Sequence, residues 1–175
     1  GYFPHMKHAR VQRFTHNFII YEAEALPEKH RGNLFGIEPL QGRVVEADFL
    51  PRGSTFETVD LQHAVKTPDS WFTPVDIKLG PDGGIYVCDW YDNNVSHLEA
   101  SVGLTDKEDG RVYRLTGKQA PAVKKFDLGK VSSEELLPYL AHPNRWFRQT
   151  ALRLLGDRKD RSVLPQLNKI LKQES

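Results

Sequence analysis

The densest chemistry in this sequence lies just after an apolar run. Ile85 to Cys88 is followed by Asp89, Trp90, Tyr91, Asp92 and Asn93, and then by His97. Asp89 and His97 are the candidate catalytic residues, because a carboxylate and an imidazole at one cleft can take up and return protons near neutral pH. Trp90, Tyr91, Asp92 and Asn93 are candidates for the wall of a substrate or cofactor pocket, since aromatic faces stack on sugars and planar rings. Each residue also has a plainer use. Asp89, Asp92 and Asn93 offer the oxygens that calcium wants, but their spacing lacks the glycine and the distal bidentate Glu of an EF-hand loop. Asx turns at a strand end use the same residues, so no metal site is assigned. His97 serves equally as a general base, a haem-side ligand or a structural group on a strand. The two rings serve equally in packing between sheets.

These residues must be carried by strands. Alternation along Ile85–Asp89 sends Tyr86 and Cys88 to one face, Val87 and Asp89 to the other, and gathers the polar stretch at one sheet end. Cys88 reads as a small core residue. Other short strand signals are 18–21, 33–38, 43–45, 74–79, 94–97 and 111–115, separated by Gly-, Pro- and Asp-rich turns. No helical period intervenes, which predicts antiparallel sheet in a sandwich, barrel or propeller. Shifting the sequence by 51 positions lays Leu34–Glu38 on Ile85–Asp89, and Val44 on Val95. Propeller blades repeat every ~40–50 residues, so two consecutive blades are expected.

The texture changes after the strands. Ser132 and Glu135 have the spacing of a capping box, in which hydroxyl and carboxylate each satisfy an orphan helix N–H. Helical stripes then predict three helices over 132–172, with Leu137, Leu140, Phe147, Ala151, Leu154, Leu164 and Leu167 inward. Pro143 breaks the first, and Gly156 is expected to stop the second. Arg145, Trp146 and Arg148 open that second helix, with Trp146 expected to pack the helices onto the sheets. Paired amphipathic helices of this kind look like a HEAT-type repeat. The expected organisation is therefore a partial propeller of about two blades over 1–116, a linker over 117–131 pinned by Phe126 and Leu128, and a HEAT-like unit over 132–175.

Bulk properties narrow the partners. The 175 residues carry 24 Lys and Arg against 23 Asp and Glu, a formal charge of +1, which recommends neither nucleic acid nor an anionic membrane. No apolar run approaches the ~20 residues that span a bilayer. A single cysteine, Cys88, excludes an internal disulfide, a thiolate zinc site and a haem-attachment CxxCH within this chain. The opening GYFPHMKHAR has neither an initiating Met nor a signal peptide, and reads as the interior of a longer polypeptide.

The stretches LPEKHRGNLF, DSWFTPVDIKLGPDGGIYVCDWYDNNVSHLEAS, DKEDGRVYRL and LPYLAHPNRWFRQTALRLL follow one another in a familiar order. Together they resemble the PVC-type haem-binding, membrane-bound-dehydrogenase-like proteins. In that family a six-bladed glucose/sorbosone-dehydrogenase-like propeller precedes HEAT repeats and a cytochrome c domain. The resemblance implies a fold that is mainly β with a C-terminal α part, holding the last blades of the propeller and the start of the helical repeat. It also implies a quinoprotein-like oxidoreductase acting on a sugar or alcohol in the periplasm or cell envelope. Electrons would pass to a haem domain outside this chain, with pyrroloquinoline quinone or haem as the cofactor of the full-length protein. One departure weighs against the quinone: Thr73 and Val75 stand where soluble glucose dehydrogenases place basic side chains to grip its carboxylates. The alternative is a non-catalytic propeller–HEAT scaffold for a protein or polysaccharide. The dense loop favours the enzyme, and the missing basic pair favours the scaffold.

Overall fold

The structure, a computed structural model, describes residues 16–92, 102, 108–120, 122 and 124–173. Strands β1 (Phe18–Ile20), β2 (Leu34–Glu38), β3 (Arg43–Arg52) and β4 (Thr55–Lys66) form one antiparallel sheet in chain order. Strands β5 (Pro74–Leu79), β6 (Ile85–Asp89) and β7 (Arg111–Leu115) form a second. The fold is thus mainly β with a helical C-terminal part. Two things differ from the sequence reading. β3 runs to Arg52 rather than stopping at Val45, and β4, its twelve-residue partner, was not expected at all.

The internal repeat acquires a register. β2 and β6 are each the second strand of their sheet. Each ends on an acid that pairs with the arginine opening the next strand: Glu38 opposite Arg43, and Asp89 opposite Arg111. Val44 lies opposite Ile37 and Val112 opposite Cys88, so Val112 rather than Val95 is the counterpart of Val44. The offset drifts because residues 90–110 lie between β6 and β7, whereas only residues 39–42 lie between β2 and β3. Val95 and the strand expected at 94–97 lie outside the described residues.

Between the sheets sits one apolar core. Tyr21, Phe35, Ile37 and Val44 from the first meet Phe72, Ile77, Ile85 and Val87 from the second. Burying each aliphatic side chain of this kind contributes about 1.5–3 kcal/mol. Along β6 the alternation holds: Ile85, Val87 and Asp89 are buried, Tyr86 and Cys88 half-buried. Cys88 is therefore not a core residue. It shares the outer face with Tyr86, because Asp89 and not Cys88 continues the inward row. Tyr21 joins the sheets, its hydroxyl donating to Gly83 O (3.1 Å) while accepting the N–H of Leu26 (2.7 Å). Gly42 must be glycine: its φ is +58°, and a Cβ there would meet Phe72 O at 2.7 Å.

In the helical part the capping box is formed. Ser132 Oγ accepts the Glu135 N–H (3.3 Å), and Glu135 Oε2 accepts the Ser132 N–H (2.9 Å). Helix α1 (Ser133–Leu136) continues as a 3-10 segment, Leu137–Ala141. Then come α2 (Arg145–Arg158) and α3 (Leu164–Gln173). Leu128, Leu136 and Ala151 form a second core, with Leu140, Phe147 and Leu154 packed against it. Phe126 lies against Phe147 (5.0 Å between centroids), so the stretch before α1 is anchored through Phe126 and Leu128. Leu164 and Leu171, at 49% and 66% exposed, do not join that core.

Gly156 does not end α2. The helix runs through it to Arg158, whose guanidinium donates to Val131 O (2.6 Å) and Gly129 O (2.8 Å), and Lys159 takes the left-handed turn (φ +53°). A Cβ at Gly156 meets nothing within 4 Å. Gly156→Ala should therefore stabilise the protein by about 0.5–1 kcal/mol, read as a raised denaturant midpoint at unchanged slope.

The helical part reaches the sheets through polar contacts. Asn144 caps α2 with its Oδ1 on the Trp146 N–H (2.8 Å), while its Nδ2 donates to Gly80 O and Pro81 O (3.1 Å each). The Arg145 N–H donates to Glu22 O (2.9 Å), and the Arg148 guanidinium holds the Glu22 carboxylate. Trp146, expected at this joint, borders a groove with Phe18 and Leu79 and meets Phe126 and Phe147 edge-on. Among the described residues no helix is long and apolar enough to cross a membrane.

Candidate functional site

Strand β6 delivers Asp89 to the sheet end, where it is buried (4% exposed). Its Oδ1 accepts the N–H of Thr73 (2.7 Å) and of Tyr91 (3.0 Å). The Trp90 N–H donates to Thr73 O (2.9 Å), and Thr73 Oγ1 donates to Asp92 O (2.9 Å). Thr73 thus faces the Asp89–Asp92 turn on three sides. This clasp explains why a threonine stands at the position before β5: its short hydroxyl and backbone both serve the turn. Asp89 Oδ2 has no hydrogen-bond partner among the described residues.

The clasp shapes the next two residues. Tyr91 is held at φ +53°, a conformation that costs a non-glycine residue about 1 kcal/mol or more and persists only where its surroundings fix it. Its ring is flanked by Trp71 (5.6 Å between centroids) and by the Arg111 guanidinium, 3.3 Å from the ring centre. Trp90 projects outward at 48% exposed, and Trp71 at 37%. Tyr113, on the same face of β7 as Arg111, packs edge-on against Phe72 (5.7 Å). Burial, and then the charge of Asp89, push the Tyr113 phenol above its ordinary value, so it stays protonated at neutral pH. A cavity of about 340 Å³ opens beside Thr73, between the Pro39–Gly42 turn and the Asp69–Ser70 loop.

Of the residues singled out from the sequence, Asp89, Trp90, Tyr91 and Asp92 are brought together at one edge. The Asp89 carboxylate serves the backbone there, as an Asx-type turn residue does, and Asp92 offers its backbone carbonyl to Thr73. Asn93 and His97 lie outside the described residues. Two polar clusters escaped sequence reasoning. In the first sheet Glu38, the counterpart of Asp89, is 1% exposed, and Arg43 Nε lies 3.5 Å from its Oε2. Burial raises the Glu38 carboxyl above its ordinary value despite that cation. The second is Glu46, 3% exposed, which accepts from His30 Nδ1 (2.6 Å), Asn33 Nδ2 (2.8 Å) and Gln62 Nε2 (2.9 Å). The one sequence signal for it is an acid inside the apolar run VVEA at 44–47.

Fold and site together define a two-sheet antiparallel β protein with a helical C-terminal part and an aromatic, acid-clasped turn at one sheet edge. The chain belongs to the DUF7133 family, a domain of unknown function whose family model matches residues 3–119. That span takes in both sheets and ends before α1. No curated protein matches the chain, and no solved structure does.

Proposed function

We propose that this chain is the carbohydrate-binding end of a β-propeller joined to HEAT-type helices, a scaffold in the cell envelope rather than a self-sufficient dehydrogenase. The observation that carries this is the pair of exposed indoles, Trp90 on the turn that Asp89 and Thr73 lock in place and Trp71 in the loop that leads to Thr73. Rings held rigidly on a surface offer a sugar a stacking face at little ordering cost. The Thr73 hydroxyl is engaged with the turn, which leaves it no free group for gripping a quinone. The reading of the two sheets as successive blades is supported by Glu38–Arg43 and Asp89–Arg111, which hold the same place in each.

The test is retardation of the purified chain in native gels cast with neutral polysaccharides, followed by calorimetry on the corresponding oligosaccharides. Trp90→Ala should weaken binding about tenfold, or 1.4 kcal/mol. Wild-type protein retarded by none of the polysaccharides would overturn the reading. Sugar-dependent reduction of an electron-accepting dye by the chain would assign the oxidoreductase that the family resemblance implies.

A further inference from the structure

A groove at the joint between sheets and helices belongs neither to the aromatic turn nor to a core. Strand β1 forms one wall, the end of β5 a second, and the first turns of α2 a third, around a space of about 420 Å³. That is the size of a small-molecule site. The walls are apolar along all of β1, at Leu79 and at Trp146, and Phe18 is 48% exposed. Arg145 and Gln149, one helical turn apart, line the same space, as does Lys78.

The cations are not equivalent. Lys78 Nζ is paired with Asp76 Oδ1 (2.9 Å). Glu22 is shared by two guanidiniums. Arg148 holds it closely and also donates to His142 O (2.7 Å) and Pro143 O (2.9 Å). Arg145 lies 3.7 Å from the same carboxylate, with its side chain 41% exposed. Among the described residues no other acid pairs with either arginine. One carboxylate against two guanidiniums leaves one positive charge in surplus, and the loosely held Arg145 carries it to the rim of an apolar groove.

We propose that this groove binds a medium-chain fatty acid anion, with its hydrocarbon chain against β1 and Trp146 and its carboxylate on Arg145. A guanidinium offers paired N–H donors in the fork that a carboxylate accepts, and the Gln149 amide supplies a further donor one turn along. A surplus of one charge suits a singly charged head better than a phosphate monoester, which carries about −1.5 to −2. The hydrocarbon supplies affinity in proportion to the methylenes it buries, and the head supplies selectivity.

The experiment is a ¹H–¹⁵N NMR titration of the whole chain with octanoate, butanoate and neutral 1-octanol. Octanoate should saturate one site and move the Trp146 indole and Gln149 amide signals. Butanoate should bind about tenfold more weakly or worse, because it leaves the β1 wall uncovered. Arg145→Gln should weaken octanoate about tenfold and leave octanol unchanged, so that the two bind alike. The Arg145 N–H bond to Glu22 O is made by the backbone and survives that substitution. Arg145→Lys, which keeps the charge without the fork, should fall between. Octanoate that does not saturate, or that moves signals only away from Trp146 and Gln149, overturns the proposal. Equal octanoate affinity in wild type and Arg145→Gln overturns it too.

Discussion

Glu46→Ala should cost the fold about 3–5 kcal/mol at neutral pH, because it strands donors that three separate segments aim at one buried carboxylate. Equilibrium denaturation measures it, and a loss under 1 kcal/mol would mean that solvent already satisfies those donors. The pH dependence has a definite sign. Burial alone would raise the Glu46 carboxyl, but the hydrogen bonds from His30, Asn33 and Gln62 outweigh it and hold the group below its ordinary value of 4.5. Its stabilisation is fully present above that value and is lost as pH falls through the depressed one. Wild type and Glu46→Gln should therefore differ at pH 7 and converge in acid. Glu38 supplies the opposite case on the neighbouring strand. Its carboxyl is raised, so the fold prefers it protonated, and the penalty grows as pH rises from the ordinary value of 4.5 towards the raised one. Glu38→Gln should stabilise the protein at neutral pH, and that gain should vanish below about pH 4.

Leu136→Ala should cost about 2–5 kcal/mol, the range for emptying a fully enclosed leucine site. Leu136 is 0% exposed, under Leu128 and Ala151. Leu154, partly buried at the edge of the same cluster, should cost less, and Leu164, half in solvent, under about 0.5 kcal/mol. Thermal melts of the three variants give the ranking. Equal losses at Leu136 and Leu164 would mean that α3 closes over the cluster in solution.

The strands of the core were legible because their inward rows are apolar and short turns delimit them. β1, β2, β5, β6 and β7 follow the expected runs closely. β4 was not legible, and its sequence shows why. It is an edge strand whose residues Thr55–Lys66 are mostly exposed, so no apolar row marks it. Register shifts between Val44 and Val45, and between Glu46 and Ala47, also break the alternation of β3, which buries four consecutive residues. The Asp89–Asp92 turn was visible as a crowd of polar and aromatic types, but its clasp partner Thr73 was not. Thr73 lies sixteen positions upstream and reaches Asp89 only because β5 pairs with β6. His30 and Glu46 are likewise sixteen apart, and neither residue type signals a pair until β3 folds back beneath the 3-10 turn. In the helical part the stripe at Leu164 and Leu171 has the correct period for burial, yet periodicity says nothing about whether a neighbour is present.

The joint between sheets and helices has a consequence in time rather than in energy alone. The two apolar clusters share no residue, and the seam between them includes Asn144, the Arg145 N–H and the ion pairs of Glu22 with Arg148 and Arg145. Such a seam behaves as a latch: added salt weakens its ionic part while leaving each cluster intact. Amide protons in β2 and β6 should then exchange with solvent on one clock and those in α2 on another, with the two clocks drifting further apart as ionic strength rises.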